Sequence, residues 1–271
     1  MSLRAAADPI LLSTLAASAS YDGRTSEELA DLVAVPRVLA FAEVSSTLDV
    51  AHDLAARGAS AGTLVLADAQ SAGRGRLGRV WHSESGAGVW LTLIERPNTS
   101  ELSSVLSLRV ALALASVLDT LASERVSVKW PNDLYVGTRK LAGILIESRW
   151  RGERIDWLAA GVGINVRSPQ GVNGAGLRVS ATRIDVLRAV VPAIRSALAR
   201  AGALGDDERA EFAARDAAVG RSCREPAVGV VAGIDADGAL QVDTRWGRLA
   251  FRAGSLVFAD ANEPTPSGET P

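Results

Sequence analysis

The chain has 271 residues, 48% of them hydrophobic, and its 29 Lys and Arg nearly balance 31 Asp and Glu for a net charge of -2. That length suits one large domain with a small one beside it, and the apolar content supplies a sizeable core. Near-neutral charge excludes a global pull towards nucleic acid or an anionic membrane. The lone cysteine, Cys223, excludes an internal disulfide, and with only His52 and His82 beside it a structural zinc site lacks ligands.

Residues 1–36 are rich in Ala and Ser. Asp8 and Pro9 interrupt the apolar stretch near the start, so it does not read as a signal peptide. No run approaches the roughly 18 apolar residues of a membrane span, and the expected location is the cytoplasm. Thr25-Ser-Glu-Glu28 predicts a capping box for a short helix carrying Leu29, Leu32 and Val33. Residues 38–44 read as a strand. Ser45-Ser46-Thr47 predicts a hydroxyl cap for a helix over Leu48–Arg57, with Gly58 as its stop. Strands follow at 63–68 and 88–95, and Leu108, Leu112, Ala115 and Leu118 give 103–121 a helical spacing.

The next strand, 126–130, is cut off by Pro131, and two more run over 141–148 and 157–166. Residues 184–203 and 206–218 read as helices, the first kinked or split by Pro192. After Gly220 the texture changes to short β-rich runs with an Asp-Ala-Asp-Gly turn at 235–238, which predicts a separate small β-barrel. The tail from Asn262 has the composition of a disordered segment. The domains expected are therefore an N-terminal extension (1–36), partly helical, a main unit (37–219), a small β unit (220–260) and a tail (261–271).

Four segments carry candidate chemistry. Gly73-Arg-Gly-Arg-Leu-Gly-Arg79 combines glycines, which let a backbone approach a ligand, with planar cations suited to phosphate or carboxylate. So many glycines predict a mobile loop that a ligand must order. The same composition also suits a solvated basic loop or one gripping nucleic acid. It ends without the Lys-Ser/Thr of a phosphate loop. Lys129-Trp-Pro-Asn-Asp133 closes a strand and projects Asn132 and Asp133 from its end, as an ordinary Asn-Asp turn also would. In Arg139-Lys-Leu-Ala-Gly143 the lysine at the start of a buried strand either faces a pocket or guards a sheet edge. Gly161-Val-Gly-Ile-Asn165 puts glycines inside a strand, for a ligand or for tight sheet packing.

In this order and spacing the four segments resemble the bacterial biotin–protein ligase family, from about Glu43 to Phe258. The resemblance implies an α+β fold: a mixed β-sheet flanked by helices, related to class II aminoacyl-tRNA synthetases, plus a small C-terminal Src-homology-3-like barrel. It implies that ATP activates biotin as an adenylate, with Mg²⁺ bridging phosphates, before transfer to a lysine of a biotin carboxyl carrier protein or domain of acetyl-CoA carboxylase or a related carboxylase. Ser46 and Thr47 match a hydroxyl pair at the biotin ureido ring, and Gln70 a further biotin contact. Gly73, Arg74, Gly75 and Arg76 match the loop closing over the biotin carboxylate. Gly143 and Gly161 match pocket-lining glycines. Arg79, Trp81, Asn132 and Asn165 match the nucleotide side, with the Trp81 indole placed to stack on adenine. Lys140, with Arg74 and Arg76, would neutralise the repulsion between carboxylate and α-phosphate.

Leu48 stands where the family usually has Asn. Only 36 residues precede Arg37, with no basic recognition face, so a DNA-binding role is not expected; whether the protein is a monomer or a homodimer is open. The rival readings are a lipoate–protein ligase, a biotin-sensing regulator and an inactive biotin-binding module. The presence of Lys140 and three loop arginines disfavours the last.

Overall fold

A computed structural model describes residue 18, residues 20–97 and residues 105–259. Most of the Ala- and Ser-rich N-terminal stretch, and the tail from Asn262, lie outside the described residues. The first helix, α1 (Ser26–Leu32), carries the expected capping box, with Glu28 N–H on Thr25 Oγ1 at 3.2 Å and Thr25 N–H on Glu28 Oε2 at 2.8 Å.

Seven strands make the main sheet: β1 (Arg37–Val44), β2 (Thr63–Gln70), β3 (Gly88–Glu95), β4 (Ser127–Lys129), β5 (Asp133–Val136), β6 (Arg139–Arg151) and β7 (Arg154–Asn165). Their order is β1-β2-β3-β7-β6-β5-β4, with β1 and β2 parallel and every other pair antiparallel, so the sheet is mixed. The continuous apolar run of β2 follows from burial on both faces. Its Val65 and Ala67 join Val50, Ala51 and Ala55 of α2 (Thr47–Ala56) on one side. On the other side Leu64 and Leu66 join the larger core built with α3 (Leu106–Leu118) and α4 (Arg183–Leu198).

Three expectations are corrected. The helix containing Pro192 is neither split nor extended to residue 203; it is one element, Arg183–Leu198. Pro192 and Arg188, whose carbonyl loses its intrahelical donor, are both exposed residues, so the loss falls on the solvent-facing side of the helix. The following helix, α5 (Asp206–Arg215), stops before Asp216, where the chain turns extended. The C-terminal unit is a five-stranded antiparallel sheet: β8 (Ser222–Glu225), β9 (Gly229–Ile234), β10 (Leu240–Thr244), β11 (Gly247–Phe251) and β12 (Val257–Phe258). Its order is β11-β10-β9-β8-β12, with two free edges and no closed barrel.

That sheet buries its apolar face against the main unit. Val231, Leu240, Val242 and Phe258 belong to the same core as the main sheet. The Trp130 indole N–H donates to Gly238 O at 2.9 Å across the junction. Gly238 has φ +74°, and a Cβ there would fall 2.8 Å from Val105 and 2.9 Å from Leu108 of the helix below.

Candidate functional site

One pocket gathers the chemistry. Its walls come from the start of α2, the end of β2, the glycine–arginine loop, the β4–β5 turn, parts of β6 and β7, and Gly254, Ser255 and Leu256 of the link between β11 and β12. Residues 73–81 form a tight hairpin over it, with Trp81 N–H on Gly73 O at 2.8 Å and Gly75 N–H on Arg79 O at 2.8 Å. Gly73 is required by that closure: a Cβ would lie 2.4 Å from Trp81 O. At the tip Leu77 takes φ 56°, the left-handed region, and is 73% exposed.

One end of the pocket is a hydroxyl–amide network. Gln70 Oε1 accepts from Thr47 N–H at 2.8 Å and from Thr47 Oγ1 at 3.2 Å. Thr92 Oγ1 donates to Thr47 Oγ1 at 2.9 Å, and Gln70 Nε2 donates to Ser83 Oγ at 2.7 Å. This corrects the expected hydroxyl cap. Ser46 is the N-cap residue but its side chain makes no capping bond. The Gln70 amide, reaching over from β2, satisfies the first helical N–H instead, which leaves the buried Ser46 hydroxyl lining the pocket. Leu48 packs on Gly161, where a Cβ would lie 2.9 Å from its Cγ. The position lacks a polar group but forms an apolar wall.

The other end is cationic. Among the lining residues Arg74, Arg76, Arg79, Lys129 and Lys140 face one carboxylate, Asp133. Lys140 Nζ pairs with Asp133 Oδ1 at 2.9 Å and lies 5.1 Å from the centre of the Trp81 ring. Arg76 Nη1 approaches Asn132 Oδ1 at 3.4 Å, and half burial pulls its pKa down while Asp133 pushes it back up. Arg79 reaches the β11–β12 link at Ser255 Oγ, 3.2 Å away.

Trp81 lies flat on the sheet because two glycines, paired across β6 and β7, make room for it. A Cβ on Gly143 would come within 3.0 Å of the indole and one on Gly163 within 2.5 Å.

Most of the residues singled out from the sequence therefore line one pocket: Ser46, Thr47, Leu48, Gln70, Arg74, Gly75, Arg76, Arg79, Trp81, Asn132, Lys140, Gly143 and Gly161. Two do not. Gly73 closes the hairpin. Asn165 lies behind the pocket, with its Nδ2 on Lys140 O at 3.3 Å, and lines a neighbouring hollow with His82, Glu84 and Arg167. The Arg74 guanidinium points to an acidic pair, Asp49 Oδ1 at 3.0 Å and Glu147 Oε2 at 3.4 Å. Thr92, Ser83, Asp133 and Gly163 were not among the candidates. Asp133 and Gly163 sit inside motifs already noticed and Ser83 inside the Trp81-His-Ser83 string that shares the resemblance, but Thr92 carries no sequence signal.

Residues 40–165 match the model of the biotin/lipoate A/B protein ligase family. The bifunctional ligase/repressor BirA of Bacillus subtilis (strain 168) is 44% identical over 124 residues, 45% of this chain but 38% of that protein, so the match spans little more than a third of that relative. The biotin–[acetyl-CoA-carboxylase] ligase of Mycobacterium tuberculosis is 28% identical over 237 residues, 79% of this chain and 87% of that one. Among solved structures, the biotin protein ligase of Aquifex aeolicus in complex with biotin and ATP superposes with a TM-score of 0.69 at 27% identity, over 82% of this chain and 99% of that one. Among the described residues no helix is long and apolar enough to cross a membrane.

Proposed function

We propose that this chain is a biotin–protein ligase, which activates biotin with ATP and passes the biotinyl group to a lysine of a carrier domain of acetyl-CoA carboxylase or a related enzyme. The observation that carries the reading is the pairing of the hydroxyl–amide end with the cationic end in one pocket. A neutral, polar ring system finds partners at Ser46, Thr47 and Gln70. The carboxylate and the triphosphate, two anions that must meet, find Arg76 and Lys140.

In the first step a biotin carboxylate oxygen attacks the α-phosphorus and pyrophosphate leaves. Arg76 and Lys140 offset the repulsion between the anions and hold them in line. Trp81 offers the adenine a flat apolar face. In the second step the uncharged acceptor amine attacks the carbonyl carbon of the adenylate and AMP leaves, so no protein nucleophile is needed. The hairpin over the pocket shields the mixed anhydride from water. A magnesium ion fits only as a passenger on the phosphates: among the described residues no group of three His, Cys, Asp or Glu is placed to hold a metal ion, and the pocket offers the Asp133 carboxylate. Such an ion would neutralise phosphate charge.

The test is an adenylation and transfer assay with purified protein, Mg-ATP and either biotin or lipoate. Biotin-dependent pyrophosphate release and labelling of a carrier domain are expected. Release with lipoate alone would replace this reading with the rival ligase, and no release with either acid would end it.

A further inference from the structure

The closing hairpin is tied to the rest of the protein by groups outside the pocket. Arg74, within the hairpin, is clamped between Asp49 on α2 and Glu147 on β6. The clamp has a support of its own. Trp157 on β7 donates its indole N–H to His52 Nδ1 at 2.9 Å. An indole nitrogen can only donate, so Nδ1 is the acceptor and the ring proton sits on Nε2. From there His52 donates to Glu147 Oε2 at 2.7 Å, the same oxygen that faces Arg74. That bond, with the Arg74 charge, holds the Glu147 carboxyl at about 2, so it stays an anion across the physiological range.

We propose that Asp49, Glu147 and His52 are positioning residues for the ligase reaction: they anchor Arg74 and so hold the Gly73–Arg79 hairpin over the pocket, leaving Arg76 as the loop cation that meets substrate. This rests on the biotin-ligase reading for its catalytic consequence but not for the clamp. Glycine-rich segments lose much entropy on ordering. An anchor built from the protein's own side chains meets that cost before substrate arrives. It differs from the expectation that ligand alone orders the loop. It also separates the two arginines, which look equivalent in the motif.

Trypsin reads the loop directly, because Arg74, Arg76 and Arg79 are all cleavable when the hairpin opens. Ligand-free wild type, Glu147→Gln, Asp49→Asn, His52→Phe and His52→Gln are digested briefly and the cuts mapped by mass spectrometry. Glutamine can present an acceptor and a donor at the two ends where the imidazole does, so it serves as the conservative rescue. The expected result is loop cleavage about tenfold faster in Glu147→Gln and His52→Phe, and several-fold faster in Asp49→Asn, with cuts elsewhere unchanged and His52→Gln protected. In adenylation assays Glu147→Gln should raise the KM for biotin about tenfold with kcat within about twofold. Loop cleavage at the wild-type rate in both Glu147→Gln and Asp49→Asn would overturn the proposal, as would equal acceleration at every site in the chain. If wild type made no adenylate, the ligase reading would fall while the digestion still judged the clamp.

Discussion

Replacing Gly163 by alanine adds one methyl group beneath the Trp81 indole, where the sheet leaves no room for it. The new Cβ would lie 2.5 Å from Cε2 and Nε1 of the ring. Ordinary carbon contacts are about 3.5 Å or longer, so the indole must lift by about 1 Å. Trp90 meets it edge-on at 6.2 Å and 70°, and Gly143, beside Gly163 beneath the same face, has room for no more than a hydrogen there, since a Cβ would lie 3.0 Å from the ring. Overpacking of this kind costs about 1–3 kcal/mol. If the indole is the adenine platform, that loss falls on the nucleotide, so the KM for ATP should rise about fivefold or more. Biotin affinity should change far less, because the Thr47, Gln70 and Thr92 network lies elsewhere. Titration calorimetry with biotin and pyrophosphate-release kinetics in ATP separate the two. In a Trp81→Leu background the same methyl should be nearly harmless, a coupling that a double-mutant cycle measures. Equal losses in biotin and ATP binding, or additive mutations, would refute the placement of the indole.

Single groups elsewhere give further outcomes. Lys140→Ala should slow adenylate formation by at least about a hundredfold while weakening biotin binding much less, read from single-turnover kinetics beside calorimetry. Arg109→Ala should cost about 3–5 kcal/mol in urea unfolding, since it strips the buried Glu208 of a partner at 2.7 Å and removes donors to the carbonyls of Arg200, Gly202 and Ala203. A loss under about 1 kcal/mol would show that the ion pair is dispensable. Asp216 is pushed from 3.8 to about 6 by burial, with Oδ2 unpartnered and Oδ1 taking Ala218 N–H at 2.8 Å. A raised carboxyl favours the folded state only when protonated. Asp216→Asn should therefore stabilise the protein by about 1–2 kcal/mol above pH 6, with the gain fading as pH falls towards the unfolded value of 3.8. A gain independent of pH in paired denaturation curves would contradict this.

Local chemistry explains which elements were readable. The capping box at Thr25, the stop at Gly58 and the strand at 63–68 each depend on neighbours in sequence, and each appears as expected. The hydroxyl cap on α2 does not, because Gln70, 23 residues away, reaches the helix first. The break at Pro192 fails for a different reason: the missing N–H falls on the exposed side of the helix, where an orphaned carbonyl costs least. The barrel fails to close because its apolar face has the main unit to cover it.

The sequence by itself, through the resemblance its four segments carry, pointed to the fold class and to most of the residues that line the pocket. It could not say which arginine does what. Arg74 and Arg76 are two residues apart with the same chemistry, and only the tertiary structure sends one to Asp49 and Glu147 and the other towards Asn132. The same holds for Trp81, whose seat is two glycines, Gly143 and Gly163, on adjacent strands. Pairing across a sheet depends on register, and register is settled by the whole fold burying its apolar faces at once.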